Sequence, residues 1–560
     1  MSGYVVPADA RPAASLLLLR DGDAGQGLEV LMLRRAERDG DPRSGACVFP
    51  GGVVDGRDHA AQAHQVGGDD AALSRRFGIS GGALDYAIAA LRETFEEVGL
   101  LLLDGPFDAD AVAPWRQRLQ QGSAGAADLA AALGRRWDLR GVAYYSHWLT
   151  PPGGPKRFDT RFFAVRAPAG QQAVADYGEA LELMWLTPQA ALSPERALKL
   201  LPVTRRTLQD LARFSTADAA LAEAHARDTV RLTMPRVARS RSGARVVVLP
   251  DELPYAEVGR LDPAGHGQVL CELVAGQAVA LSARVLRLTA PNPGVMTGPG
   301  TNTYFVGAGD AWAVIDPGPV DAGHLQAMLS TAPGRTTHIL VTHTHQDHSP
   351  GALALAQATG APLWGRVAAY PHGQDATFTP QHEPQHGERI AVAEGVTLRV
   401  IHTPGHASNH LCYLLEEEKL LFTGDHVMQG STVVINPPDG DMAAYLRALR
   451  ALQDEDLDWL APGHGFLVAQ PRAVLQGLVA HRLKREARVR QALQRRREAG
   501  IDELLPEVYA DVPRGLHPVA RRSLLAHLLK LQADGEAVMN GEVWRYGADA
   551  ADAAESGLAG

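Results

Sequence analysis

At 560 residues the chain exceeds what one hydrophobic core usually organises, so two or three domains are expected. Hydrophobic residues make up 46% and charged residues 21%, ordinary for a water-soluble globular protein, and the formal charge of −10 argues against indiscriminate nucleic-acid binding. Cys47, Cys271 and Cys412 are far apart and show no ligand spacing, Leu16–Leu19 is too short for a membrane span, and the N-terminus lacks a signal-peptide pattern; a cytoplasmic protein without membrane association is the expectation.

Ala14 to Leu19 and Glu29 to Leu33 read as strands flanking the turn-rich Asp21 to Gly27. Phe49-Pro50-Gly51-Gly52 follows, with two glycines that permit close backbone approach to a ligand. From Leu84, apolar residues recur at Ile88, Leu91, Phe95 and Val98, one face of a helix that Gly99 closes. Glu93, Glu96 and Glu97 converge on the opposite side. Three glutamates alone weigh equally as a solvated face and as a ligand set.

Their context tips the balance. Arg92-Glu93-Thr94-Phe95-Glu96-Glu97-Val98-Gly99-Leu100 resembles the core of the Nudix box, and Phe49 to Gly52 resembles its glycine entry. The resemblance implies cleavage of a small-molecule diphosphate with Mg2+ or Mn2+ held by Glu93, Glu96 and Glu97, with Glu97 also catalytic. Arg35-Ala36 and Gly45 to Gly52 fit the coenzyme A diphosphatase-like group, whose middle arginine is out of register here, with Arg38 and Arg43 nearest. Two further departures are the long insertion Asp55 to Gly82 and Leu84, where a glutamate is usual. Lys156 to Phe163 and Trp185 to Pro188 resemble the later strand and the final helix start. The alternative is a non-catalytic, ligand-sensing domain.

Ala217 to Ala226 reads as a helix, Val237 to Gly243 as a turn or linker, and residues 244 to 280 carry no motif. Val285 to Leu288 opens the next domain. The loop from Asn292 to Gly300, rich in glycine and proline, fits a plain turn and an active-site lining equally well.

The densest chemistry follows Ile339-Leu340-Val341, an apolar run that reads as a buried strand. His343, His345, Asp347 and His348 come within the six residues after Thr342, which ends it, a clustering that packing does not explain. Thr403-Pro404-Gly405-His406, Thr423-Gly424-Asp425 and Ala461-Pro462-Gly463-His464 each follow a further apolar segment. These four loops, in this order, resemble the metallo-β-lactamase superfamily. The resemblance implies two Zn2+ ions: one on His343, His345 and His406, a second on Asp347, His348 and His464, and Asp425 bridging, with Asp347 and Asp425 in catalysis. His402 and His410 are left as supporting or surface residues.

His481 to Arg497 is strongly basic, and helical spacing would place several of its arginines on one exposed face. Ser523 to Gln532 reads as a helix, and Asn540-Gly541 between two short apolar runs is a strong hairpin signal. Helices followed by a small hairpin resemble a winged helix, which often contacts nucleic acid. A packing or dimerisation module is the alternative, which keeps a homodimer among the expectations. Residues 281 to 547 together resemble the group containing β-lactamase-like protein 2, which implies single-stranded RNA as a partner.

The expected chain is a multidomain α/β and α+β protein. A Nudix fold covers 1–235, an unassigned linker 236–280, a metallo-β-lactamase αββα sandwich 281–475, a basic helix with a small winged-helix domain 476–548, and a disordered tail 549–560. The expected activity is that of a two-headed metal-dependent hydrolase. RNA phosphodiester cleavage stands first for the second head, and thioester or small-ester hydrolysis is the alternative.

Overall fold

The computed structural model describes residues 6–25, 27–37, 44–154, 156–178 and 180–547; Arg38, Arg43 and the 549–560 tail lie outside them. The chain divides into two compact units. One comprises Met1–Ala238, Arg245–Pro250 and Ala264–Gly267, the other Arg239–Ala244, Asp251–Pro263 and Gln268–Gly560. The segment unassigned in sequence is therefore shared between them.

In the first unit, strand β1 (Ala10–Asp21) pairs antiparallel with β2 (Leu28–Arg35) and with β3 (Gly51–Val53), and parallel with β4 (Arg157–Arg166). Leu16 and Leu18 face one core while Leu17 and Leu19 face another, so the four-leucine run is a central strand buried on both sides. Helix α1 (Ala83–Val98) lays Leu84, Ile88, Leu91, Phe95 and Val98 into the first of these cores, and α2 (Ala217–Ala226) lays Ala217, Ala220 and Ala224 into the second. Helix α1 ends at Gly99, whose φ of 74° is the left-handed conformation that lets its N–H reach Phe95 O at 3.0 Å.

The second unit is a two-sheet sandwich. One sheet runs in chain order through β5 (Ala278–Ala280), β6 (Val285–Thr289), β7 (Asn302–Ala308), β8 (Ala311–Ile315), β9 (Arg335–Leu340) and β10 (Leu363–Trp364). The other runs through β11 (Arg389–Ala393), β12 (Val396–His402), β13 (Leu411–Leu415), β14 (Leu420–Gly424), β15 (Trp459–Pro462) and β16 (Val468–Ala469). Tyr304, Val306, Tyr413 and Phe422 fill the space between the sheets. Their neighbours Phe305, Leu414 and Leu421 point outward under helices, so these strands read as continuous apolar runs. Helices α3 (Ala322–Thr331) and α4 (Gly351–Thr359) cover the first sheet, and α5 (Met442–Leu452) covers the second.

Helix α6 (Pro471–Arg496) starts at a proline in its first turn and continues unbroken through the 475/476 boundary expected from sequence. After it come strand β17 (Glu498–Gly500), α7 (Ile501–Val508), α8 (His517–Ala533) and the hairpin β18 (Ala537–Asn540) and β19 (Val543–Tyr546), a winged helix. The exposed basic face expected here is only partly present: Lys484, Arg495, Arg496 and Arg497 are exposed, but others of the run are not. Arg482 and Arg485 are only 3% and 6% exposed, because the buried stripe Leu475, Arg482, Glu486, Val489 and Leu493 carries them inward. Arg485 and Arg488 pair with Asp511 at 2.7 and 2.8 Å, Arg490 with Glu536, and Arg495 and Arg496 with Glu507. The run is spent mainly on holding the module together. Among the described residues, no helix is long and apolar enough to cross a membrane.

Within the second unit, Glu257 accepts both guanidinium branches of buried Arg287 at 2.6 and 2.8 Å, and the Leu467 N–H at 2.8 Å. Glu257→Ala leaves a buried charge unpaired and is expected to destabilise this unit by about 3–5 kcal/mol, measured by chemical denaturation. Glu257→Gln should cost less, because an amide still accepts one of these bonds.

Candidate metal centres

Each histidine-bearing or aspartate-bearing loop leaves the C-terminal end of a strand. His343 to His348 follow β9, His406 follows β12, Asp425 follows β14 and His464 follows β15. Asp316, just beyond β8, ties the first loop down. Its carboxylate accepts from Thr342 N–H at 2.7 Å and Thr342 Oγ at 2.8 Å, and His348 Nδ1 lies 2.9 Å from it. Asp316 holds a φ of 50°, uncommon for a residue with a Cβ, and these three bonds offset that cost.

The ring nitrogens are sorted by their outer partners. His343 Nδ1 meets Thr342 Oγ at 3.0 Å, His406 Nδ1 meets Val434 O at 2.8 Å, and His464 Nδ1 meets Gly300 O at 3.2 Å. A carbonyl can only accept, so His406 and His464 carry a proton on Nδ1, which leaves Nε2 as the nitrogen turned inward to bind a metal. His343 Nε2 and His406 Nε2 then lie 2.9 and 3.0 Å from His345 Nδ1. These three form one group of converging ligand atoms, and Asp347, His348, Asp425 and His464 form another. Asp425 reaches both: Oδ1 lies 3.4 Å from His348 Nε2 and 3.3 Å from His464 Nε2, and Oδ2 lies 3.8 Å from His406 Nε2. Gly463 makes this approach possible, since a Cβ there would come within 2.8 Å of Asp425 Oδ1 and His348 Cε1.

Both groups suit a divalent cation. His348 Nε2, His464 Nε2 and Asp425 Oδ1 are buried and face only one another and Asp347, at 3.2–3.4 Å and without a well-formed hydrogen bond, an expensive arrangement unless an ion engages them. Burial, reinforced by His406, takes His345 down to about 3, so it is a neutral donor at pH 7. Burial also disfavours charge on His464, yet Asp425 and Asp347 beside it push it up to about 9. Without metal, then, a proton on His464 supplies the positive charge that a cation would otherwise bring.

Sequence reasoning missed Asp316, and it left His410 open. His410 is fully buried, stacks on His343 at 5.0 Å, and its Nε2 accepts from Asp425 N–H at 3.2 Å. His402 only reaches Ser408 O, at 3.2 Å. The Asn292 to Gly300 loop is more than a turn: Gly300 O holds His464, and Val295 and Met296 line the cleft.

In the first unit Glu93, Glu96 and Glu97 come together at the Gly51-Gly52 loop. Gly51 N–H donates to Glu97 at 2.9 Å, and a Cβ on Gly52 would sit 2.4 Å from the Glu93 carboxylate. Arg92 pairs with Glu93 at 3.0 Å and Glu96 at 2.9 Å. Its other side is gripped by fully buried Asp58, at 2.8 Å, from the Asp55 to Gly82 insertion. The insertion thus orients the glutamates, a role with no signal in the sequence. Burial raises Glu93 to about 7 against the pull of Arg92, so a cation is needed to keep it fully charged near neutrality. Leu84 simply packs in the core.

The sandwich and its histidine–aspartate cluster define a metal-dependent hydrolase. Residues 296–464 match the metallo-beta-lactamase superfamily model, 78–202 the Nudix domain model of the NUDT19 type, and 501–544 the beta-lactamase associated winged helix domain model. A lactamase-like protein of Penicillium aethiopicum is 35% identical over 45% of this chain and 83% of its own length. An atrochrysone carboxyl ACP thioesterase of Aspergillus chevalieri is 32% identical over 45% and 82%. The beta-lactamase-like protein 2 homolog of Drosophila melanogaster is 29% identical over 46% and 90%. The chain belongs to the metallo-β-lactamase superfamily, with a Nudix domain ahead of the hydrolase domain and a winged helix behind it.

Metal binding at the Asp347, His348, Asp425 and His464 group should release protons. A ligand imidazole must be neutral, and both His464, pushed up to about 9, and His348, which burial lowers but Asp347, Asp425 and Asp316 hold well above the usual histidine range, keep protons near neutrality, so apparent affinity should rise with pH through about 9. Calorimetric titration with Zn2+ in buffers of different ionisation enthalpy measures the release. Uptake of the metal without any proton release would contradict the charge assignment.

Proposed function

We propose that the second unit hydrolyses acyl thioesters or related small esters, with zinc as the metal. The observation that carries this reading is the cleft of about 890 Å³ beside His345, Asp347, His406 and Asp425. Val433, Val512, Leu516 and Val519 give part of its wall an apolar surface suited to an acyl chain, and Arg482, Arg485 and Arg522 line it beside them. Imidazole and carboxylate ligands favour zinc. His343, His345 and His406 would hold one ion, Asp347, His348 and His464 the other, and Asp425 would bridge them. A metal pair so bound supplies Lewis acidity, activating water and stabilising charge on the acyl oxygen. The chain's own part is to keep the ligand nitrogens bare and fixed, and to exclude water from the acyl side of the cleft. The similarity to an acyl carrier protein thioesterase supports the same reading.

RNA cleavage is the competing reading: Arg482 and Arg485 are buried and Arg488 is paired with Asp511, while Lys484 is exposed. The comparison is direct: the zinc-loaded chain is assayed on a series of acyl-pantetheine thioesters and on single-stranded RNA. Thioester hydrolysis is expected, with Asp425→Ala reducing it about a thousandfold, the scale of losing a charge-stabilising group. Cleavage of RNA alone would overturn the proposal.

For the first unit the proposed reaction is hydrolysis of a small-molecule diphosphate, assisted by Mg2+ or Mn2+ on Glu93, Glu96 and Glu97. The glutamates open onto a cleft of about 720 Å³ that also carries Arg11, Arg35 and Lys156, cations placed to meet phosphate oxygens, and Phe49 and Phe158 as apolar surface. Glu97→Gln should abolish phosphate-product release from a diphosphate panel, read by phosphorus NMR. If the unaltered chain cleaves no diphosphate but binds one, the ligand-sensing alternative holds.

A further inference from the structure

The segment Val433-Val434-Ile435 lies beside the first group of histidines. Val434 O accepts from His406 Nδ1 at 2.8 Å, the bond that leaves His406 Nε2 facing His345. Both neighbours of Val434 are held by the C-terminal helices. Val433 O accepts from the buried Arg482 guanidinium of α6, and Ile435 N–H donates to Ser523 Oγ of α8 at 3.3 Å. The same guanidinium sits 5.4 Å over the Tyr445 ring. Gly405, immediately before His406, rests against Tyr445 so closely that a Cβ would fall 2.4 Å from Tyr445 Cα. The hydrogen-bond partner of His406 and the residue preceding it thus share one support.

We infer that Arg482 and Ser523 are positioning residues for His406, so that the helices of the C-terminal module set the geometry of the His343, His345 and His406 group. The inference rests on the reading that these three histidines hold a divalent cation. A ligand imidazole is oriented by the acceptor behind it, and that acceptor is a backbone carbonyl whose own position is fixed from both sides. Arg482 donates from the one side and Ser523 accepts on the other; both also line the cleft, so the test reads the metal directly and not turnover. A purely packing arginine would affect stability without affecting the metal.

The test uses the full chain loaded with Co2+, whose visible absorption reports ligand geometry directly and requires no substrate. Arg482→Met keeps much of the side-chain volume but removes the donor. It is expected to shift the bands of the first group and weaken its Co2+ affinity about tenfold, with the second group's affinity retained. Arg482→Lys should restore most of both. Ser523→Ala should shift the same bands by less, and it keeps the inference testable if Arg482→Met does not fold. Because both hold one segment, the combined variant should be non-additive. Folded variants with unaltered spectrum and affinity would overturn the inference while leaving the ligand assignment standing. If the unaltered chain binds no Co2+ at all, the ligand assignment fails and the inference with it.

Discussion

The second unit depends on one costly arrangement, a set of ligand atoms buried facing only one another. His348 Nε2, His464 Nε2 and Asp425 Oδ1 gain no hydrogen bond from the protein, although each is removed from water. Such a pocket would collapse or hydrate if its walls could move. The outer bonds prevent this, because Asp316, Thr342, Gly300 and Val434 each hold one ring from behind. The sandwich strands then hold those partners. Stability made in the core is thereby spent at the strand ends.

The first unit meets a related problem with different chemistry. Three carboxylates on one helix face repel each other, and Arg92 makes their proximity tolerable by pairing with two of them. A guanidinium is rigid and permanently charged, so it sets the spacing of the glutamates as well as their charge balance. Asp58 neutralises the guanidinium's far side in turn. An imidazole-rich centre needs acceptors at its back, whereas a carboxylate-rich centre needs a cation.

What could be read from sequence was what the chain places close together. His343 to His348 are six consecutive positions after an apolar strand, and α1 shows its apolar stripe and closing glycine directly. The supporting residues were not legible, because each acts across a long chain separation. Asp316 reaches His348 across 32 residues, Arg92 meets Asp58 across 34, and Arg482 meets Val433 across 49. The basic run was read only in part, because two of its arginines, Arg482 and Arg485, are buried. Charge suggested solvent, but the apolar positions Leu475, Val489 and Leu493 define a buried stripe that passes through Arg482. Periodicity carried the better signal there, and composition hid it.

Helix α6 has a mechanical consequence. Its 26 residues span about 39 Å as one rod, beginning against the second sheet's cover and ending inside the winged helix. The rod has no proline beyond its first residue and lacks a glycine after Gly477, so no hinge is built into its length. The winged helix therefore cannot swing as an independent arm. It behaves as the far end of a beam anchored in the catalytic sandwich, and a load applied to the wing is transmitted to the sandwich instead of being absorbed by a flexible joint.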